Sequence, residues 1–248
     1  MSHKNNFSVI AIIPVYNEIG RIGKVISKFS NKFVDEVCLI LDEPTKKIKN
    51  EIIKSSLSVD VPVTLLENGK RKGIGFALQR GIKYAIENEF DVIVVMAGNN
   101  KDDPREIPRL LYPIKEYNYD YVQGARFLPG GVHRNTPLLR VFLIRLYSLI
   151  WTIVTGVLCT DVTNGFRAYK TSIFKDNRIN IWQNWLNGYE LEFYIHYKML
   201  SLRYRSREVP VSKIYPNTKQ ERYTHINPVR DFLSIVKPII LLGSGIRK

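Results

Sequence analysis

The residues with the clearest capacity for chemistry lie in the segment Ala97-Gly98-Asn99-Asn100-Lys101-Asp102-Asp103, which directly follows an apolar run. In open α/β sheets, ligands bind just beyond the carboxyl ends of the strands. The side-chain oxygens of Asn99 and Asp102 are ligands that Mg²⁺ or Mn²⁺ accepts. Lys101 supplies a positive charge for an anion, and Asp103 before a proline is typical of a helix N-cap. The segment therefore predicts a site for an anionic ligand, with or without a divalent cation.

Three further loops carry candidate binding residues. Pro14-Val15-Tyr16-Asn17-Glu18 follows the first apolar run, and Asp42 ends the second. In a nucleotide-binding α/β fold, a carboxylate such as Asp42 can accept hydrogen bonds from ribose hydroxyls or a base. Before a helical pattern, Lys72 and Gly73 lie in a basic, glycine-containing turn, where a helix N-terminus and cations favour phosphate. Each signal alone is also compatible with helix capping or a solvated turn.

Apolar runs alternate with helical patterns through the first half of the chain, and these elements would position the loops. Strands are expected at Val9–Ile13, Val37–Leu41, Val61–Leu66, Val92–Met96 and Tyr121–Ala125. Apolar residues recur at helical spacing in Ile22–Phe29, Ala77–Ile86 and Ile107–Ile114. This alternation predicts an α/β fold with a mainly parallel central sheet covered on both faces.

The 248-residue chain is strongly basic, with 37 Lys and Arg against 23 Asp and Glu, a formal net charge of +14. Such a surface favours polyanions, anionic lipid headgroups or phosphorylated substrates. The 14 Tyr and 11 Phe could in principle stack on bases. Most of them lie in apolar runs, so we expect no nucleic-acid partner and keep a basic nucleic-acid-binding protein as a distant alternative. Cys38 and Cys159 lie in apolar surroundings and are expected to be buried free thiols.

Two segments are apolar on nearly all sides. Pro137–Cys159 contains only Arg140 and Arg145 as charges, and its uninterrupted apolar part is short for the roughly 20 residues of a bilayer span. The second segment, Phe232–Ile246, is flanked by cations, and docking on an anionic membrane surface is expected for both. The alternative is that each is a helix packed on the domain. We expect one domain over 1–215 and a tail over 216–248, and, with a polar N-terminus, a cytoplasmic protein peripheral on the inner face of the membrane.

Taken together, the motifs resemble the family 2 glycosyltransferases of GT-A fold, and within them the dolichol-phosphate mannosyltransferase-like branch. The order of the Pro14–Glu18 loop, the Asp42-Glu43 pair and the Lys72–Gly75 turn is similar to that family. Further motifs match the branch over about Val9–Val211, most specifically Asp161–Tyr169 (DVTNGFRAY); the others are Gln123–Phe127 with Gly130-Gly131, Gly188–Glu192 and Arg207–Val211.

The resemblance implies transfer of a sugar from a nucleotide-sugar donor, with inversion at the anomeric carbon. Base and ribose would lie near Pro14, Tyr16, Glu18 and Asp42. The pyrophosphate would lie by Asn99, Lys101 and the turn at Lys72 and Gly73. Arg126 and Arg167 would clamp an acceptor phosphate, and Glu192, in preference to Asp161 or Glu190, would serve as general base. A lipid-phosphate acceptor is already an anion and would need no strong base.

One position departs from the family's pattern. The family's Asp-x-Asp motif, which supplies a divalent metal, is replaced here by Ala97-Gly98-Asn99. Asn99 with Asp102 could still hold Mg²⁺ or Mn²⁺, Lys101 could supply the charge without metal, or the protein could be catalytically weakened. The acceptor also stays open between a polyprenyl phosphate or lipid-linked saccharide and a soluble or cell-envelope glycan.

Overall fold

The computed structural model describes residues 7–216 and 230–247. Within these ranges the strands and helices lie along the chain in this order: β1 (Val9–Val15), α1 (Ile22–Ile26), β2 (Glu36–Asp42), α2 (Lys46–Ser56), β3 (Val63–Asn68), α3 (Ile74–Glu87), β4 (Val92–Val95), α4 (Ile107–Tyr117), β5 (Tyr121–Ala125), β6 (Val132–Arg134), α5 (Leu138–Thr155), β7 (Arg167–Lys170), α6 (Glu190–Ser201), β8 (Ser206–Pro210), β9 (Ser212–Ile214) and α7 (Arg230–Gly243).

In the described ranges, seven strands form the central sheet in the order β3-β2-β1-β4-β7-β5-β8. Strands β3, β2, β1 and β4 are parallel, and β5 is parallel to β8. Strand β7 is antiparallel to both neighbours, β4 and β5. The predicted α/β fold with a mainly parallel sheet is confirmed. The parallel order brings the carboxyl ends of β1, β2 and β4 to one edge of the sheet.

The sheet is buried on both faces, because successive residues of a strand point to opposite sides. Along β1, Ala11 and Ile13 pack into the core under α1, α2 and α4. Ile10 and Ile12, one residue out of phase, pack into the core under α3 and α6. This double burial explains why β1, β2 and β4 are nearly continuous apolar runs that the sequence reveals.

The predicted elements are confirmed with shifted ends, and several elements went unrecognised. The third strand begins two residues later than expected, at Val63, and α1 ends at Ile26 rather than near Phe29. Helix α2 was missed, although Thr45 is its N-cap and accepts a hydrogen bond from the Ile48 N–H at 3.4 Å. Strands β6, β7, β8 and β9 were also missed. Cys38 and Cys159 are buried free thiols, as expected.

Helix α5 is only partly covered by the domain. Of its 18 residues, Ile144, Ser148, Trp151 and Thr155 are buried. Leu138, Leu139, Phe142, Leu143, Leu146, Leu149, Ile150, Ile153 and Val154 are exposed. By length and composition α5 could also cross a membrane, and it is the one such helix among the described residues. Helix α5 therefore packs on the domain along one side, and its exposed apolar side leaves membrane docking a prediction.

Helix α7 packs on the domain along one side. Ile239 and Leu242 are buried, and the Tyr197 hydroxyl donates to the Leu242 carbonyl at 3.1 Å. Ile240 on the other side is 58% exposed. Of the expected tail over 216–248, residues 217–229 and 248 and the side chains of 230–235 lie outside the described residues. The boundary at 215 therefore stays a prediction.

Candidate active site

A cleft of about 920 Å³ opens at the edge where the carboxyl ends of β1, β2 and β4 meet. Loops after these strands form one wall, and the Asp161–Tyr169 motif, the start of α6 and the segment after β8 form the other. The predicted site residues that line the cleft are Pro14, Tyr16, Glu18, Asp42, Lys72, Gly73, Asn99, Lys101, Arg126 and Glu192. These ten residues, which the sequence assigned to one site, therefore do lie in one cavity of the fold.

The end of the cleft beside β1 and β2 carries a flat aromatic surface. The Arg71 guanidinium lies 4.2 Å from the centre of the Tyr16 ring, a stacked cation–π contact. Glu18 is 8% exposed, and one of its carboxylate oxygens accepts from Arg21 Nη1 at 3.0 Å. Planar and hydrogen-bonding groups of this kind suit a base and a ribose.

Asp42 holds the basic turn against the sheet. Its carboxylate accepts from the backbone N–H groups of Lys72 and Gly73, both at 2.9 Å, and from Asn68 Nδ2 at 3.3 Å. Gly73 has φ of +99°, a conformation that glycine adopts without strain. Asp42 lines the cleft, as predicted, but it also fixes the shape of the loop opposite.

The N-terminus of α3 is not free to bind phosphate, contrary to our expectation. The N–H groups of Gly75 and Phe76 donate to the Asn187 carbonyl at 2.9 and 3.2 Å. The contact is so close that a Cβ at Gly75 would overlap the Leu186 carbonyl oxygen. The first N–H groups of a helix have no partner within the helix, but here these two already donate to Asn187. An anion would therefore be attracted by the cations of this region rather than by the helix end.

Lys101 is a buried cation on the cleft wall. It is 6% exposed, and its ammonium lies 4.7 Å from the centre of the Tyr215 ring. Among the described residues it forms no side-chain hydrogen bond or ion pair. Burial, together with the positive charges of Lys213 and Arg140, lowers the pKa of Lys101 to about 7, although Asp102 and Glu18 oppose the change.

Asp102 points away from the cleft into the protein. It is 1% exposed, and both carboxylate oxygens accept from Lys213 Nζ, at 2.8 and 3.1 Å. Lys213 also donates to Asn164 Oδ1 at 3.1 Å. Asp103 caps the turn that follows by accepting from the Arg105 N–H at 3.1 Å, as its N-cap position predicted.

The geometry does not join Asn99 and Asp102 into a metal site. Asn99 lines the cleft, and its Oδ1 accepts from the Lys101 N–H at 3.3 Å, whereas the Asp102 carboxylate is held by Lys213. In the part of the chain that the structure describes, no group of three or more His, Cys, Asp or Glu side chains could hold a metal ion. Since divalent magnesium and manganese prefer carboxylates, these residues do not fit such a cation.

Arg126 lines the cleft and is held in place by Asp161. Arg126 Nε and Nη2 donate to the two Asp161 oxygens at 2.6 Å each, and the Arg126 N–H donates at 2.9 Å. Burial disfavours the guanidinium charge, but Asp161 outweighs burial and raises the pKa of Arg126. Asp161 is fully buried and does not line the cleft. Its predicted catalytic role is corrected to that of a positioning residue.

Arg167 does not reach the cleft, which corrects the prediction that it clamps a phosphate. It is 1% exposed and donates to three backbone carbonyls: Nε to Asn164 at 2.9 Å, Nη1 to Glu192 at 2.6 Å and Nη2 to Val162 at 2.7 Å. Because its donors are used on backbone groups, Arg167 ties the Asp161–Tyr169 motif to the start of α6 and thereby places Glu192.

Two carboxylates from the first turn of α6, Glu190 and Glu192, line the cleft. Glu192 is half-buried and Glu190 is 8% exposed. Burial raises the pKa of Glu192, although Arg167 and Lys213 pull it down. With a raised pKa and no side-chain hydrogen bond among the described residues, Glu192 is suited to accept a proton, or a hydrogen bond from a sugar hydroxyl.

Sequence reasoning missed three residues of the far wall: Arg140, Lys213 and Tyr215. The Tyr215 ring contacts both Lys101 and Arg140, and the guanidinium carbon of Arg140 is 5.3 Å from the ring centre. The only available signal was that Lys213 and Tyr215 closely follow the Arg207–Val211 motif. Nothing in the local sequence indicates that this segment crosses to the loop after β4.

Comparison with known proteins gives a consistent result. The family model for glycosyl transferase family 2 matches residues 10–178. An undecaprenyl-phosphate mannosyltransferase from Micrococcus luteus is 27% identical over 204 residues, which cover 82% of each chain. A UDP-N-acetylglucosamine–dolichyl-phosphate N-acetylglucosaminyltransferase from Methanococcus voltae is 26% identical over 179 residues, 67% of this chain and 71% of the other.

The fold recurs in a solved structure of glucosyl-3-phosphoglycerate synthase from Mycobacterium tuberculosis in complex with Mn²⁺, UDP and glucosyl-3-phosphoglycerate. Its TM-score is 0.65 at 17% identity, and the match covers 98% of this chain and 82% of that one. The same enzyme was solved with Mg²⁺ and UDP, with a TM-score of 0.66 at 16% identity, covering 98% of this chain and 81% of that one. The family match, the motifs and the cleft agree with the predicted dolichol-phosphate mannosyltransferase-like branch, and this chain belongs to glycosyl transferase family 2.

Proposed function

We propose that the protein is an inverting glycosyltransferase that moves a sugar from a nucleotide-sugar donor to a polyprenyl phosphate at an anionic membrane surface. The family supports sugar transfer, and the activities for which the relatives from Micrococcus luteus and Methanococcus voltae are named support a lipid-phosphate acceptor. Tyr16, Glu18 and Asp42 take the nucleoside end of the donor, with Pro14, Lys72, Gly73 and Asn99 completing the donor side of the cleft.

The observation that carries the proposal is that one helix joins the cleft to an apolar surface. Arg140 of α5 lines the cleft, and its neighbours Leu139 and Phe142 are 70% and 62% exposed. A phosphate bound near Arg140 and Arg126 would therefore lie beside a surface that suits the hydrocarbon chain attached to it. An acceptor with a charged head and an apolar tail matches both features.

Helix α5 fits the interface of a bilayer better than its interior. Its 18 residues rise about 27 Å, less than the roughly 30 Å of a bilayer core, and it carries Arg140 and Arg145. A helix with an exposed apolar side and cations binds anionic lipid through burial of its apolar side chains and through attraction between its cations and the lipid headgroups. The net charge of +14 adds long-range attraction to the same surface. These features support the proposal that the protein lies peripherally on the cytoplasmic, inner face of the membrane.

The residues present can perform the transfer without a strong base. The acceptor's phosphate oxygen attacks the anomeric carbon from the side opposite the leaving diphosphate, which inverts that centre. Arg126, held by Asp161, orients the acceptor phosphate. Glu192 accepts hydrogen bonds from the sugar, and for an acceptor that is a neutral hydroxyl it serves as the general base.

The proposal is tested by supplying UDP-, GDP-, CMP- and dTDP-sugars with a polyprenyl phosphate in anionic vesicles, or with soluble glycans. Transfer to the polyprenyl phosphate supports the proposal, and transfer to soluble acceptors alone refutes the lipid acceptor. In vesicle flotation, Phe142→Glu is expected to lower binding by about tenfold, because it removes apolar contact and adds repulsion. The matched control is Leu57→Glu, an exposed leucine on the turn after α2. Equal loss in both variants would contradict docking through α5.

A further inference from the structure

Lys101 is a buried cation on the cleft wall that has no carboxylate partner in the described part of the chain. Lys101 is 6% exposed, and its ammonium contacts the Tyr215 ring but no carboxylate. Burying an ammonium without a hydrogen-bonding partner lowers stability. A buried charge that the fold retains in a cleft, rather than in a packed core, points to an anion that binds there.

Two neighbouring cations of the cleft, Arg126 and Lys213, differ from Lys101 because a carboxylate already balances the charge of each. Arg126 forms a buried ion pair with Asp161 at 2.6 Å, and Lys213 forms one with Asp102 at 2.8 Å. Each pair is nearly neutral as a unit. When protonated, Lys101 therefore brings to this part of the cleft, at the end of β4, a positive charge with no ion-pair partner among the described residues.

The same loop is poorly built for a divalent ion. Between Ala97 and Lys101 the cleft offers the Asn99 amide and no carboxylate, and the next carboxylate, Asp102, is bound to Lys213 inside the protein. The Lys101 ammonium thus lies in the region where the carboxylate ligands for a metal ion are missing. The two observations are independent, since one concerns a partnerless ammonium and the other concerns the chemistry of the loop.

We propose that Lys101 binds the diphosphate of the donor and stabilises it as the leaving group, so that this glycosyltransferase needs no divalent metal. The inference rests on the proposed use of a nucleotide-sugar donor. In the transfer, the bond between the anomeric carbon and the β-phosphate oxygen breaks, and its electron pair stays on the diphosphate. An acceptor oxygen forms the new bond to that carbon. The Lys101 ammonium neutralises the charge that develops on the departing oxygen.

The experiment measures binding of UDP, GDP, CDP and dTDP to the full chain by isothermal titration calorimetry, once with EDTA and once with Mn²⁺. We expect one of these nucleotides to bind with a Kd that differs by less than about threefold between the two conditions. Lys101→Met is expected to weaken that binding by about 10- to 100-fold, the range for losing a hydrogen bond to a charged group. The control is Lys83→Met, an exposed lysine on α3 that is 3.6 Å from Glu87.

A second readout separates charge from structure. Lys101→Met should weaken binding of the nucleoside diphosphate but leave binding of the matching nucleoside, measured by NMR titration, within about twofold of wild type. Equal weakening of both ligands would overturn the proposal, as would an increase in affinity of tenfold or more on adding Mn²⁺ to the wild-type protein. Absence of binding by every nucleoside diphosphate in both conditions would instead overturn the proposed function itself.

Discussion

Replacing Lys101 with methionine is expected to stabilise the fold while it weakens the binding of a diphosphate. The side chain is 6% exposed, and burial, assisted by the charges of Lys213 and Arg140, lowers its pKa from the usual 10.5 to about 7. This shift means that the folded protein disfavours the charged form. Methionine has a similar length, keeps the packing against Tyr215 and carries no charge.

The magnitude follows from the pKa difference. A fall from 10.5 to about 7 corresponds to a cost of about 5 kcal/mol for the charged form at low pH. Relaxation and water entering the cleft reduce such costs in real proteins. We therefore expect Lys101→Met to raise the free energy of unfolding by about 2 to 4 kcal/mol at pH 6.

The effect has a defined dependence on pH. Between pH 7 and 10.5 the unfolded chain keeps the proton on Lys101 while the folded chain loses it, so the stability of the wild-type protein rises with pH across this window. The loss of stability caused by the buried charge of Lys101 is complete below pH 7 and becomes smaller as the pH rises toward 10.5. The stability gap between Lys101→Met and wild type should accordingly shrink when pH rises from 6 to 9.5.

Urea denaturation at pH 6 and pH 9.5 measures both the gap and its change. Lys83→Met, whose wild-type side chain is 64% exposed, serves as control and should change the free energy of unfolding by less than about 0.5 kcal/mol at either pH. If Lys101→Met were less stable than wild type, or if its advantage were the same at both pH values, the reasoning about a buried, unpaired charge would be refuted.

Three further substitutions test other parts of the site. Asp161→Asn leaves the Arg126 guanidinium buried without its counter-charge, so the free energy of unfolding in urea should fall by about 3 to 5 kcal/mol; a change below 1 kcal/mol would contradict the pairing. Gly75→Ala drives a methyl group into the Leu186 carbonyl, and a loss of more than about 2 kcal/mol is expected in thermal melts, whereas an unchanged Tm would contradict the close contact. Glu192→Gln should slow transfer to a hydroxyl acceptor by about 100-fold but affect a phosphate acceptor much less, as measured by initial rates. Equal slowing with both acceptors would argue against the general-base role.

Much of the sheet was predictable because its signals are local. Strands β1, β2 and β4 are buried on both faces, so each is a continuous apolar run that can be recognised in isolation. Helix α3 was recognisable because its buried residues repeat at helical spacing. Since strand ends in a parallel sheet meet at one edge, the sequence alone suffices to group the loops after these strands into one site.

Elements held by distant partners were not predictable. Strand β7 is four residues long and partly polar, and it becomes a strand only because β4 and β5 pair with it on both sides. Helix α2 is rich in lysine and has few apolar positions, so its face toward the core was overlooked. In both cases the stabilising contacts come from residues far away in the chain, which no local pattern encodes.

The amino-acid sequence by itself determined the family, the parallel strands buried on both faces and the list of chemically capable residues, because apolar periodicity and short motifs are properties of neighbouring residues. Only the tertiary structure decided which of those residues are available. It paired Asp102 with Lys213 across 111 positions and Arg126 with Asp161 across 35, and it turned Arg167 onto backbone carbonyls. It left Lys101 in the cleft without a carboxylate. The physical reason is that the availability of a charged side chain for a ligand depends on its burial and on its nearest counter-charge. Both are set by segments that meet only when the chain folds.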